Sequence, residues 1–217
     1  MGASCHASFG LVACRPGSNF LGNYDRTFGW HEMKRVTLSL FAVVGCMLSA
    51  AKAPPAGIAI AEAERNALNE MTKALQAKIE SLDNHPFLPD VIIFHNSVRY
   101  ALDDDMFYKK EDFKSAHKLL ELGHGRADQL KADKHPWTTG TGLIVRGYRS
   151  RLDDSVIPYG VDVPENFNPN RRGQLRMDIW MHGRNNILSE VRFLTERLKR
   201  PSKFRSLNTI VLHPYGR

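Results

Sequence analysis

One stretch, Leu175 to Leu198, constrains the fold of this chain more than any other, because it indicates a strand, a glycine turn and an amphipathic helix in succession. In the strand, apolar residues alternate with a period of two at Leu175, Met177, Ile179 and Met181. Trp180 occupies the other face, so we expect a buried strand that is covered on both sides, as parallel strands are. In the helix, apolar residues recur at helical spacing at Ile187, Val191, Leu194 and Leu198, and this stripe would pack on a sheet.

A second strand, Thr209 to His213, follows this helix after a connection that contains Pro201. We expect it to return parallel to the first strand, with the usual right-handed crossover. Ligands of such sheets bind beyond the carboxyl ends of the strands. The tripeptides His182-Gly183-Arg184 and Tyr215-Gly216-Arg217 would lie there.

Three segments, GLIVRGYRSRLDDSVIPYGVDVP from Gly142, RMDIWMHGR from Arg176 and TIVLHPYGR from Thr209, resemble the opening of a catalytic α/β-hydrolase domain. The family is that of prolyl-oligopeptidase-like serine peptidases and esterases, and the resemblance spans Gly142 to Arg217, about a third of the chain. It implies an α/β fold in which an N-terminal helical layer precedes the first strands of a hydrolase sheet, here incomplete.

The resemblance also implies an oxyanion hole at the end of the first strand of the βαβ unit. Its donor would be the backbone N–H of Arg184 or of Asn185, with His182 and Gly183 as the supporting loop. Tyr215 and Arg217 would line the same crevice, and the substrate would be a peptide or an ester. The alternative for Gly183 is that it only permits the turn from strand to helix.

No Gly-x-Ser-x-Gly nucleophile motif occurs in the 217 residues. The resemblance therefore implies a fragment of an exported serine hydrolase that carries the oxyanion strand, lacks a catalytic triad and is inactive alone. No residue of this chain is assigned a catalytic role. The alternative function is a non-catalytic helical interaction protein, in which the hydrolase-like strands serve only as packing.

The charge pattern argues against nucleic acid as a partner. The net charge is +7, of which residues 1–53 carry five basic and two acidic side chains. The remaining +4 is a mild excess without a clustered basic stripe or a recognisable module. Apolar residues make up 42% and charged residues 24%, an ordinary globular balance.

Residues 33–53 have the pattern of a secretory signal peptide, with Lys34-Arg35, an apolar run from Val36 to Leu48 and small residues after it. This pattern predicts an exported protein, periplasmic or extracellular. Lipid anchoring through Cys46, in a lipobox-like Val-Val-Gly-Cys, is the alternative. Residues 1–32 would then be a disordered extension, or an addition upstream of a true start at Met33. All three cysteines lie at or before this segment, so the mature chain would have no disulfides.

A linker at 54–57 leads into a helical accessory region at 58–134. The apolar periodicity predicts helices over Ala61–Ser81, from a cap at Asp90 to Leu102, and over Glu111–Leu130. We expect no metal, because Asp103 to Asp105 lack the spacing of a calcium loop and the helical histidines His117 and His124 are seven apart. We also expect no cofactor.

The partial hydrolase domain would span 141–217 and begin with a β-hairpin from Leu143 to Val163, which turns at Asp153-Asp154-Ser155. In this chain we expect the last strand, Thr209 to His213, to be an open sheet edge. Such an edge predicts self-association.

Overall fold

The computed structural model describes residues 54–82, 84–168, 170, 175–183, 185–206 and 208–216. The predicted extension at 1–32 and the predicted signal peptide at 33–53 lie outside these residues, as do Arg184 and Arg217. Within the described part, no helix is long and apolar enough to cross a membrane.

Three helices open the described chain, namely α1 (Glu62–Glu80), α2 (Pro89–Asp103) and α3 (Lys110–Lys131). Each is amphipathic and buries the face that the apolar periodicity predicted. On α3, for example, Leu120 is fully buried while Lys118 is exposed. The helical predictions are therefore confirmed, with bounds that differ by one or two residues.

The role predicted for Asp90 is wrong, because the residue does not cap its helix. The N-cap of α2 is Leu88, and Asp90 lies in the first turn with 1% of its surface exposed. Its carboxylate accepts hydrogen bonds from Nε of Arg146 at 2.8 and 2.9 Å, from the backbone N–H of Gly147 at 2.7 Å and from Nε1 of Trp137 at 2.9 Å. It therefore ties α2 to the sheet.

A short 3-10 helix (Pro136–Thr138) leads from the helices into a four-stranded sheet of order β1-β2-β4-β3. Strands β1 (Gly142–Arg149) and β2 (Val156–Val163) form the predicted antiparallel hairpin, and Asp154 takes a positive φ of 58° in its turn. Strand β3 (Arg176–Ile179), helix α4 (Glu190–Lys199) and strand β4 (Thr209–Pro214) form the predicted unit with parallel strands. A mixed α/β class is thus confirmed.

Among the described residues the edge strands of the sheet are β1 and β3, and the prediction that placed an open edge at β4 is wrong. Strand β4 pairs with β3 in parallel and with β2 in antiparallel, so both of its sides are occupied. The hairpin strand β2 takes the side that was expected to be open. Local periodicity carries no information about which distant strand fills that side.

The prediction that the strand around Met177 is buried is also wrong. Strand β3 has four residues, and the relative exposure of Met177 is 60% and that of Ile179 56%. Along β4, buried Thr209, Val211 and His213 alternate with partly exposed residues. The described helices therefore cover one face of the sheet, and the strands are not covered on both faces.

The helices and the sheet share one hydrophobic core. It includes Leu68 of α1, Phe94 of α2, Leu120 of α3, Val145 of β1 and Leu194 of α4. Arg126 of α3 lies within this core, with its guanidinium over the rings of Phe94 and Trp137 at 4.9 and 4.7 Å from their centroids. Burial lowers the pKa of Arg126 to about 10, so its charge is retained at neutral pH.

Candidate functional site

A crevice lies at the carboxyl ends of the parallel strands β3 and β4, beside the loop that joins β3 to α4. Parallel strands end at the same edge of a sheet, which is why one loop and two strand ends meet there. The volume of the crevice is about 180 Å³. It is lined by Trp180, His182, Gly183, Asn185, Leu188, Phe193, Glu196, Arg197 and His213. Three of the predicted site residues, His182, Gly183 and Asn185, are therefore brought together here.

His182 connects the two strand ends. Its Nε2 accepts a hydrogen bond from the backbone N–H of Gly216 at 3.3 Å, and its Nδ1 lies 3.0 Å from the carbonyl oxygen of Gly183. Because Nε2 accepts, the ring proton is on Nδ1 and is donated to that carbonyl. The imidazole thus holds the loop after β3 against the loop after β4.

Gly183 occupies a position where its backbone does not require glycine. Among the described residues only Gly142 is a glycine with positive φ, and a Cβ added to Gly183 would meet no atom within 4 Å. The space in front of Gly183 is therefore open. Neither backbone conformation nor packing explains the glycine, which disfavours the interpretation that it only permits the turn.

Two side chains, Asn185 in a turn and Ser189 at the N-cap of α4, organise the chain between Gly183 and the helix. Oδ1 of Asn185 accepts from the backbone N–H of Ile187 at 3.1 Å. Ser189 is the N-cap, and its Oγ accepts from the backbone N–H of Arg192 at 3.4 Å. The apolar stripe predicted from Ile187 onward is therefore helical only from Glu190, because the turn at Asn185 and the N-cap Ser189 come before the helix.

Tyr215 lies beside the crevice at the end of β4. Its ring centroid is 5.1 Å from that of Phe193 and 6.4 Å from that of His182, and its hydroxyl donates to the carbonyl of Leu188 at 3.1 Å. These contacts hold the end of the loop against the sheet. Arg184 and Arg217, the remaining predicted site residues, lie outside the described part of the chain.

His213 is a site residue that sequence reasoning missed. It is 6% exposed, and its Nδ1 lies 3.2 Å from Nη1 of Arg197. A guanidinium can only donate, so Nδ1 accepts and the proton of the neutral ring is on Nε2. Among the described residues, that Nε2 has no hydrogen-bond partner.

Several neighbours act on the pKa of His213. Burial lowers it most, the charge of Arg197 lowers it further, and His182 contributes in the same direction. The carboxylates of Asp162 and Glu196 raise it by less, so the net pKa is below the ordinary value. His213 is therefore neutral at pH 7 and presents a buried N–H donor, which an acceptor oxygen would stabilise.

Arg197 is held in place from two sides. Its side-chain stem packs on Gly160 of β2, where an added Cβ would lie 2.7 Å from Cγ of Arg197, and Nη2 lies 3.2 Å from Oε1 of Glu196. Arg197 and His213 meet only because α4 packs on the sheet. No local spacing in the sequence indicates this pair.

Other histidines and carboxylates of the described residues form no metal site, since no group of three or more potential ligands occurs among them. On α3, Nε2 of His117 is paired with Glu64 at 2.9 Å, and Nε2 of His124 lies 3.1 Å from the carbonyl of Met71. Both histidines therefore join α3 to α1. The crevice after β3 remains the best candidate for a functional site.

The chain was compared with protein-family models, with curated proteins and with solved structures. None of them matches it.

Proposed function

We propose that this chain supplies the oxyanion loop and the neighbouring strands of an exported serine hydrolase that transfers the acyl group of a peptide or an ester to water. The proposal follows the resemblance of the segments around β1 to β4. In that architecture an N–H from the loop between the third strand and the next helix stabilises the oxyanion. The corresponding loop here runs from Trp180 to Ser189.

The observation that carries the proposal is the open space at Gly183. A glycine that its backbone and its packing do not require, at the carboxyl end of a parallel strand, leaves room for a substrate carbonyl to approach the main chain. The donor would be the backbone N–H of Arg184 or Asn185. One such donor contributes about 2.7 to 4 kcal/mol to stabilisation of the transition state.

Ser189 and Ser206, which follow the loop in the sequence, are not placed to serve as nucleophiles. Ser189 is 1% exposed and caps α4, while Oγ of Ser206 donates to Oγ1 of Thr209 at 2.9 Å. A nucleophile must reach the same carbonyl as the oxyanion donor. A Gly-x-Ser-x-Gly strand would meet this requirement by lying along the outer edge of β3.

A fluorophosphonate probe tests the proposal. We expect the 217-residue chain to remain unlabelled, and a polypeptide extended along the same reading frame to be labelled at the serine of a Gly-x-Ser-x-Gly. Serine-to-alanine substitution at that position is the control and should abolish labelling. In the extended protein, Gly183→Val should slow labelling, while Gly125→Val on the exposed face of α3 should leave the rate unchanged.

Two results would contradict the proposal. One is an extension that contains no such motif, or that carries it without labelling, and this result would favour the non-catalytic interaction protein. The other is stoichiometric labelling of the 217-residue chain, which would require a different nucleophile.

A further inference from the structure

A second concave surface lies between α1 and α2, where the two helices form a groove of about 350 Å³. On the α2 side it is lined by His95, Arg99 and Asp103, which are spaced by four residues and therefore follow one row along the helix. On the α1 side the lining includes Lys73 and Glu80. Small-molecule sites have volumes of about 300 to 1,000 Å³, so this groove favours a small ligand.

His95 is a buried polar side chain that lines this groove. It is 7% exposed, on a helix whose buried residues are mostly apolar. Its Nδ1 lies 3.1 Å from Oδ1 of Asn96, and since an amide oxygen can only accept, the ring proton is on Nδ1. Nε2 therefore carries a lone pair. Among the described residues no donor reaches this atom, and unlike Nε2 of His213 it is not sealed from solvent.

The ring of His95 remains an acceptor at neutral pH. Burial lowers its pKa most, and the hydrogen bond to Asn96 raises it. The charge of Arg99 lowers the pKa, while that of Asp103 raises it, and the net pKa lies below the ordinary value. His95 is therefore neutral at pH 7, and a ligand of the groove would present an N–H or O–H group to its Nε2.

The charged side chains of the groove balance one another in sign. Arg99 pairs with Asp103 at 3.2 Å, and Lys73 and Glu80 add one charge of each sign from α1. A ligand with a net charge would therefore face two side chains of its own sign, whereas a zwitterion can turn each of its charges toward an opposite one. Hydrogen bonds from charged donors are also stronger than those from neutral ones, so an ammonium group suits the lone pair of His95.

We propose that this groove binds a free α-amino acid, whose ammonium group donates to Nε2 of His95 and whose carboxylate accepts from Arg99. The two residues lie one helical turn apart, with about 5 to 6 Å between their Cβ atoms. The side chain of Arg99 is 43% exposed, so its guanidinium has room to turn toward a ligand. The site goes beyond the proposed function and does not rest on it.

Titration of the isotope-labelled 217-residue chain with each of the standard amino acids tests the proposal, with the imidazole resonances of His95 as the readout. We expect at least one amino acid to shift them saturably, with a dissociation constant of about 1 mM or lower. Its N-acetylated form lacks the ammonium group and should bind at least about tenfold more weakly. No saturable shift with any amino acid, or equal binding of the N-acetylated form, would overturn the proposal.

Substitutions followed by titration calorimetry test the two named contacts. The dissociation constant should rise at least about tenfold in Arg99→Gln, and likewise in His95→Phe, which keeps an aromatic ring but removes the acceptor. Lys78→Gln is the matched control, because Lys78 pairs with Asp128 and does not line the groove, and it should bind within about twofold of the original. Unchanged binding in Arg99→Gln, or in a His95→Phe variant that retains its thermal transition, would contradict the assigned contacts.

Discussion

Nη1 of Arg197 donates a hydrogen bond to Nδ1 of His213 across 3.2 Å, which links α4 directly to the carboxyl end of β4. The contact requires a neutral imidazole, because a protonated Nδ1 could not accept. The candidate site therefore contains a pair whose geometry depends on pH.

We expect the free energy of unfolding to fall as the pH is lowered through the range in which His213 becomes protonated. The folded state depresses the pKa of His213, chiefly by burial and by the charge of Arg197. Between the folded and the unfolded pKa of His213, the unfolded chain therefore binds more protons than the folded chain does. The contribution of neutral His213 to stability is fully present above the unfolded pKa of about 6.5, and it is lost as the pH falls from there toward the folded pKa. His213→Gln should remove part of this dependence, as measured by urea unfolding at several pH values.

The same experiment needs a control at His95, because burial lowers the pKa of that histidine too and it also contributes to the pH dependence of stability. His95→Gln should remove its own share of the pH dependence and leave that of His213. A His213→Gln variant with the same pH profile as the original protein would contradict the assignment.

Asp90 should be among the most sensitive polar residues of the chain. Asp90→Ala leaves the buried donors of Arg146, Gly147 and Trp137 without their acceptor, and we expect a loss of about 3 to 5 kcal/mol in chemical denaturation. Asp128→Ala is the control. Asp128 forms an ion pair with Lys78, and its side chain is 62% exposed. Loss of this pair should cost less than about 1 kcal/mol of stability. Similar costs for both variants would argue against the network.

Substitution by alanine should lower the stability at Gly147 but hardly change it at Gly183. A Cβ on Gly147 would overlap the backbone carbonyl of Pro89, so Gly147→Ala should cost more than about 1 kcal/mol of stability. Gly183→Ala meets nothing within 4 Å and should change stability by less than about 0.5 kcal/mol. Thermal unfolding of both variants is the measurement. A large loss in Gly183→Ala would mean that the glycine serves the fold and not a ligand.

We propose that the protein is exported, on the pattern of residues 33–53. A polypeptide initiated at Met33 and expressed in a bacterium should have a mature N-terminus at Lys52 or Pro54. Cleavage after Ala51 is favoured, because Pro54 directly after the scissile bond would hinder the alternative. N-terminal sequencing gives the answer, and Phe41→Lys in the apolar run should prevent processing. Recovery of uncleaved cytoplasmic protein would contradict export.

The sequence by itself determined the elements that depend on local pattern. The stripes of α1 to α3, the hairpin of β1 and β2 and the parallel unit of β3, α4 and β4 follow from side-chain periodicity and turn residues, which act over a few positions. The loop with His182 and Gly183 was predictable for the same reason, since it follows a strand end, whereas Asn185 was implied only by the family resemblance.

Only the tertiary structure decided what depends on distant pairing. Strand β4 became interior and β3 the edge because β2 occupies the second side of β4. Asp90 serves the sheet and not its own helix because Arg146 and Gly147 lie against it once β1 packs on α2. The pair of Arg197 and His213 likewise exists only because α4 packs on the sheet. Such contacts are made by burial across the core, and no spacing along the chain encodes them.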